Sequence, residues 1–291
     1  MGRGDLTQAE WDVLAPLLPP VGGRGGRWAD HRTTVNGVLY RLRTGLPWRD
    51  LPERFGNWQT VYQRHRRWSA DGTWDRILTA LQVRADAEGA LDWSCVGVDS
   101  TSVRAHPDAA RAPRAPRGER KKGVLDHGFG EALGRSRGGL TSKIHLACEG
   151  RLRPLAVLVG PGQAGDAPAF TQVIAAIRVP RPAGGRPRTR PQTVVADKAY
   201  SSRAIRAHLR RRGIRHTIPE PLDQANARLR KGRRGGRPAG FDREDYRRRN
   251  EAERTINRLK AFRAVATRYD QRAYVFHGTV TLAAIRLWLR P

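Results

Sequence analysis

The chain has 291 residues, 38% of them hydrophobic, and a formal net charge of +28. The hydrophobic share can bury a real core, which excludes global disorder, and the length suggests about two domains. A surplus of charge this large repels itself unless a polyanion neutralises it, so the expected partner is nucleic acid, held through phosphate contacts with counterion release.

Arginine supplies almost all of the positive charge, since lysine occurs only six times. Arginine forks fit phosphates and guanine edges in a bidentate way; a GC-rich genome would also encode many of them. Cys95 and Cys148 each lie in an apolar run and read as buried thiols in a reducing compartment. No apolar stretch approaches the roughly 20 residues that span a bilayer. The first five residues carry no secretory pattern, so a cytoplasmic protein without membrane association is expected.

Residues 1–88 read as all-helical. Thr7-Gln8-Ala9-Glu10 is a capping box, and Pro19-Pro20 stops the helix it starts. A second helix begins near Asp30, carries Val35, Val38, Leu39 and Leu42 at helical spacing, and ends at Gly45. A third holds Val61, Tyr62, His65 and Trp68, and a fourth follows Asp71-Gly72 with Thr73 as its cap. Trp48, Trp58, Trp68 and Trp74 are expected to pack this bundle, with Arg64, Arg66 and Arg67 among the arginines between them. The unit reads equally as a helix-turn-helix-like DNA-binding domain and as a bundle with a solvated arginine surface.

From residue 91 the pattern changes. Strands are predicted at 93–104, 140–148, 152–159, 193–197 and 214–218. Asp166 is placed to cap a helix containing Phe170, Val173, Ile174 and Ile177, and a further helix covers 202–212. Residues 105–138 and 222–241 are predicted as basic loops, and 180–192 as a Pro/Arg-rich linker. A long helix is predicted from Asp242 to about Ala264, and a last one over 273–289. The order makes 91–291 a mixed five-stranded sheet flanked by helices.

Within the long helix, at about 100° per residue, Tyr246, Arg249, Glu253 and Lys260 fall inside about 60° of arc. Ala252, Ile256, Leu259 and Phe262 form a neighbouring apolar stripe, so the helix can pack on the sheet and still aim those four groups along one edge. A lone helical glutamate is ordinarily a solvated surface residue; four functional groups on one edge weigh against that. Asp99 and Asp197 each close an apolar run. Open α/β sheets place ligands at the carboxyl ends of strands, although a single aspartate there is ordinarily a turn former or cap.

The spacing Tyr246-x2-Arg249-x3-Glu253-x6-Lys260 resembles, at every interval, the Tyr-Arg-Glu-Lys signature of bacterial insertion-sequence transposases, and in particular the subgroup numbered five. Residues 98–106 resemble that family's first-aspartate strand, 138–145 its second strand, and 195–200 its second-aspartate segment. Residues 256–260 and 266–270 resemble its carboxy-terminal block, and 46–52 the helical domain that precedes its catalytic core. The resemblance covers nearly the whole chain. It implies a ribonuclease H-like fold and a catalytic triad of Asp99, Asp197 and Glu253 holding two Mg2+ ions, for which Mn2+ substitutes. It also implies double-stranded DNA as substrate (element ends and target), a homodimer on that DNA, and a nucleoid-associated bacterial protein. Where some relatives carry a large β-rich insertion between the last two acids, this chain has room only for a helix, a strand and a basic loop. Its end contacts are therefore expected from Arg228, Arg230, Lys231, Arg233 and Arg234, or from a partner subunit.

The implied roles follow from the chemistry. Asp99 would bridge the two ions, with Asp197 and Glu253 holding one each. Lys260 and Arg249 would grip phosphates near the cut, and Tyr246 would stack or donate a hydrogen bond there, packing against the core being the equal alternative. His145-x2-Cys148 makes no zinc site, because no second pair exists and one strand points those side chains to opposite faces. The rival functions are a nuclease or resolvase of the same fold that cuts without joining, and a non-catalytic DNA-binding repressor.

Overall fold

The structure, a computed structural model, describes residues 2, 4–20, 29–111 and 131–290. The expected basic loop 105–138 therefore lies largely outside the described residues, and its described ends are not loop throughout, since Pro107–Ala110 is a short helix and Gly134–Ser136 a short strand.

The amino-terminal helices form where the caps put them. Helix α1 (Gln8–Leu14) starts at a complete capping box, in which Glu10 N–H donates to Thr7 Oγ1 and Thr7 N–H donates to the Glu10 carboxylate. Helix α2 (His31–Thr44) is capped by Asp30 and ends at Gly45, whose left-handed φ of 69° a side chain would strain. Helices α3 (Trp58–Ala70) and α4 (Thr73–Ala87) follow. Thr73 is the first helical residue of α4 and not its cap; Asp71 accepts both its N–H and its hydroxyl while Gly72 turns the chain at φ 75°. Of the four tryptophans, Trp68 and Trp74 fill the core edge to face, 5.1 Å apart. Trp48 and Trp58 stay half-buried beneath the guanidinium groups of Arg41 and Arg49.

The sheet is mixed and has seven strands. They are β1 (Cys95–Ala105), β2 (Gly134–Ser136), β3 (Gly139–Glu149), β4 (Arg153–Pro161), β5 (Thr193–Ala196), β6 (Arg215–Thr217) and β7 (Thr267–Arg268). A short helix α5 (Pro107–Ala110) follows β1, α6 (Asp166–Ala176) follows β4, and α7 (Arg203–Arg211) links β5 to β6. The order is β2-β3-β1-β5-β6, with β4 also on β3 and β7 also on β1. Strand β3 runs antiparallel to both β1 and β4, β5 and β7 run parallel to β1, and β6 runs parallel to β5. This is the ribonuclease H-like arrangement expected, and the five predicted strands are its main members. The two additional strands, three and two residues long, are too short to show an alternating pattern.

Two other expectations need correction. Residues 222–241 are not a loop throughout: α8 (Leu222–Arg230) and a 3-10 turn (Gly232–Gly235) lie there. Leu, Gln, Ala and Arg favour a helix by themselves, and α8 buries nothing, so no core-facing stripe announces it. Residues 242–264 are three pieces, α9 (Arg243–Arg247), α10 (Asn250–Lys260) and α11 (Arg263–Ala266). At the first break the N–H groups of Arg248 and Arg249 reach back only three residues, to Asp245 and Tyr246.

The last helix, α12 (Ala273–Leu289), is buried on nearly every side and packs against α3, α4 and β4. Its apolar character all round is what a central helix needs. Through it the amino-terminal helices and the sheet share one hydrophobic core. No helix among the described residues is long and apolar enough to cross a membrane.

Candidate active site

The register of the sheet builds the site. Strands β1 and β5 pair in parallel from Cys95↔Thr193 to Val98↔Ala196. Asp99 and Asp197 are the next residue on each, so they stand side by side where β5 ends. Strand β7 joins the same edge of β1 only at Arg104. Between them, residues 99–103 have no strand neighbour on that edge among the described residues. The site occupies this gap.

Glu253 arrives from the face of the sheet. Gly97 lacks a side chain, and a Cβ there would lie 3.0 Å from the Cβ of Ala252. Helix α10 therefore seats directly on β1, and the residue after Ala252 is carried toward Asp99. Farther along, Lys260 Nζ donates to Thr101 Oγ1 at 3.2 Å. Helix and strand thus run together from Gly97 to Thr101, with the gap beside them.

The three acids feel one another. Burial pushes the Asp99 carboxyl up to about 6, the Ser100 N–H opposes that, and the charges of Asp197 and Glu253 raise it further against the pull of Arg249. Each carboxylate is also held locally. Asp99 accepts from Ser100 N–H at 2.7 Å, Asp197 from Ala199 N–H at 2.8 Å, and Glu253 from Arg249 Nη1 at 2.6 Å. In this arrangement no three His, Cys, Asp or Glu side chains among the described residues converge on a point that could hold a metal ion. The backbone brings the acids to one place; the side chains do not meet on one ion. The donor set still suits a hard divalent cation, being all carboxylate oxygen and mutually repelling. Sharing an ion requires these side chains to move toward one another.

The other residues singled out divide sharply. Tyr246 is half-buried and packs not in the core but on Phe241 (ring centroids 5.0 Å apart) and under the Arg249 guanidinium. Arg230, Lys231, Arg233 and Arg234 are exposed, whereas Arg228 is half-buried in an ion pair with Glu220. Arg66 and Arg67 are exposed, Arg66 donating to the Tyr274 hydroxyl. Arg64 is internal: its Nη1 is 2.8 Å from His31 Nδ1 and its guanidinium lies over Trp68. Cys95 and Cys148 are buried free thiols, both driven up to about 12 by burial.

Asp166 is the group the sequence reading missed. It does not cap α6, whose N-cap Gly165 makes no side-chain bond. Its Oδ1 accepts from Ser100 Oγ at 2.5 Å and from Lys143 Nζ at 3.0 Å. The available signal was alternation: Ser100 faces His145 and Ser102 faces Lys143 across β1 and β3, all on the side opposite Gly97 and Asp99.

Comparison with known proteins fits this geometry. Residues 6–78 match a family profile described as "Putative transposase of IS4/5 family". Residues 94–288, well over half of the chain, match the profile "Transposase DDE domain". The chain belongs to the DDE transposases. Two relatives come from insertion elements. One is the "Insertion element IS402 uncharacterized 16.2 kDa protein" of Burkholderia cepacia, 39% identical over 112 residues (36% of this chain, 76% of the relative). Another is the "Putative transposase for insertion sequence element IS6501" of Brucella ovis, 26% identical over 151 residues (52% of this chain, all of the relative). A solved structure, the pre-cleavage Mos1 transpososome, aligns over 93% of this chain and 80% of its own. Its identity of 11% and TM-score of 0.27 carry no further argument. This transposase is thus an enzyme of insertion-sequence type, from a family that works with divalent metal ions.

Proposed function

We propose that this transposase cuts the ends of its element and joins the freed 3′-OH to target DNA, with Asp99, Asp197 and Glu253 as the catalytic acids. The observation that carries the reading is the juxtaposition of Asp99 and Asp197 in adjacent register at the gap in the sheet, with Glu253 brought beside them by α10. The three carboxylates would hold two Mg2+ ions, or Mn2+ in their place. Ions so bound supply an activated water and offset charge on the departing oxygen.

The chain's own residues do the rest. Hydrolysis of the phosphodiester at the element's end releases a 3′-oxygen as a 3′-OH. That hydroxyl then attacks a target phosphodiester, and the target's own 3′-oxygen leaves. Neither step needs a protein nucleophile. Lys260, beside Thr101, grips phosphate along the gap. Arg249 does the same once released from Glu253, and Tyr246 stacks at its side.

The substrate is double-stranded DNA, held by a homodimer. Residues 1–88 serve as the end-reading unit through Arg66 and Arg67, and 91–291 as the catalytic unit. Arg230, Lys231, Arg233 and Arg234 add phosphate contacts. Arg64, enclosed against His31 and Trp68, supports the bundle and leaves DNA to its neighbours.

The test is nicking of a duplex carrying the element's end in the presence of Mg2+. Asp99→Asn, Asp197→Asn and Glu253→Gln should each lower the rate by more than the roughly 10- to 100-fold that loss of a ligand's outer partner costs. End binding in a gel-shift assay should survive in all three. Full cleavage by any variant removes that residue from the triad.

A further inference from the structure

Among the described residues, the stretch of β1 that carries Asp99 has a strand on one edge only, β3, and its active-site edge is open. Ser100 is bonded in two directions at that point. Its N–H donates to Asp99 Oδ1 at 2.7 Å, and its hydroxyl donates to Asp166 Oδ1 at 2.5 Å. Asp166 is held in turn by Lys143 Nζ at 3.0 Å, and the same ammonium donates to Ala164 O at 2.7 Å, tying down the turn before α6. Three elements, β1, β3 and α6, therefore converge on one carboxylate directly behind Asp99.

The surroundings favour a firm bond. Asp166 and Lys143 are only 25% and 14% exposed. His145, 1% exposed, lies against them with its ring pushed down to about 4 by burial, and so stays uncharged at neutral pH. Tyr200, 2% exposed, closes the other side; Asp166, Asp99 and Asp197 all raise its phenol beyond the effect of burial. A charge-assisted hydrogen bond is short and directional, so it fixes the groups it joins. A helix-terminal acid with no other task would face solvent; this one faces the back of the active-site strand.

We propose that Asp166, anchored by Lys143, is a positioning residue that fixes the orientation of the Asp99 carboxylate through the hydroxyl and N–H of Ser100. The proposal rests on the reading of Asp99 as a metal-holding acid. It predicts a selective effect: metal affinity falls while DNA binding and folding hold.

The experiment uses the full chain. Mn2+ binding without DNA is followed by electron paramagnetic resonance, and nicking of an element-end duplex is titrated with Mg2+. The variants are Ser100→Ala, Asp166→Ala, the double variant, and Ser100→Thr, which keeps a hydroxyl. Ser100→Ala and Asp166→Ala should each weaken Mn2+ binding by about 10- to 100-fold, the usual cost of losing a ligand's outer partner. Both should need correspondingly more Mg2+ to nick, with gel-shift affinity and melting temperature near wild type. The double variant should be no worse than the poorer single, because both changes remove one bond. Ser100→Thr should retain most of the metal affinity. Unchanged Mn2+ binding in both alanine variants overturns the proposal, and so do additive losses or losses that only track melting temperature. Wild-type protein and Asp99→Asn run alongside. If wild type fails to nick, the proposed end-cleaving activity fails. If it nicks and binds Mn2+ while the alanine variants match it, only the positioning role fails.

Discussion

Asp99 shows how one side chain can be placed against its own preference. Its carboxyl sits at about 6, held up first by burial and then by two neighbouring acids. An acid whose folded-state pKa is raised binds its proton more tightly folded than unfolded. The fold is therefore favoured below the unfolded value of about 4 and loses stability as pH rises to about 6. In metal-free buffer, melting temperature should fall across that window for wild type and stay flatter for Asp99→Asn. At pH 7 Asp99→Asn should melt higher than wild type. A scanning-calorimetry series from pH 4 to 7 checks this, and a lower melting temperature for the variant at pH 7 counts against the mutual repulsion. The identity and strand position of Asp99 were legible, since an apolar run ends on it. Asp166 was legible only in part: alternation puts Ser100 and Ser102 on one face of β1, but that Asp166 meets that face depends on the register of β3 against β1 and on where α6 begins.

At the scale of elements, the contact between α10 and β1 decides where Glu253 goes. At Gly97 a Cβ would lie 3.0 Å from that of Ala252, so a side chain there would require α10 to give way. Gly97→Val should cost about 1–3 kcal/mol in a urea melt, the usual range for overpacking, and should reduce nicking further by moving Glu253 off Asp99. Normal nicking by this variant would mean that α10 is not what positions Glu253. The amphipathic pattern of residues 252–262 was readable as a helix packed on the sheet. Its division from α9 was not, because the break lies in how N–H groups of ordinary helix formers are satisfied. Helix α8 escaped for the opposite reason: it has no buried face, so its leucines at 222 and 229 are exposed and signal no core.

For the whole molecule, the joint between the amino-terminal helices and the catalytic core is polar as well as apolar. Arg41 on α2 meets Asp270, just before α12, at 3.1 Å with both side chains buried, and Thr279 donates to the same carboxylate. Arg268, fully buried, ties this corner to Ser142 and to the carbonyl of Ala132. Breaking a buried pair strands a charge, so Asp270→Asn should destabilise by about 3–5 kcal/mol. Arg41→Met combined with Asp270→Leu should recover part of that loss in the same denaturant titration. A single-variant cost below about 1 kcal/mol would place the pair among surface bridges of little consequence.

The amino-acid order by itself determined the helices with strong caps, the main strands, the acids at the ends of β1 and β5, and the cationic character that calls for a polyanion. These are local or compositional properties, carried by periodicity, capping chemistry and charge. Only the tertiary structure decided which cations face outward and which, like Arg41, Arg64 and Arg268, are spent inside. It alone decided that β5 stops short and opens a gap beside Asp99, and that Asp166 stands behind that gap. Each of these depends on groups far apart in the chain meeting in a desolvated place, where partner and register, more than residue type, set what a charge can do.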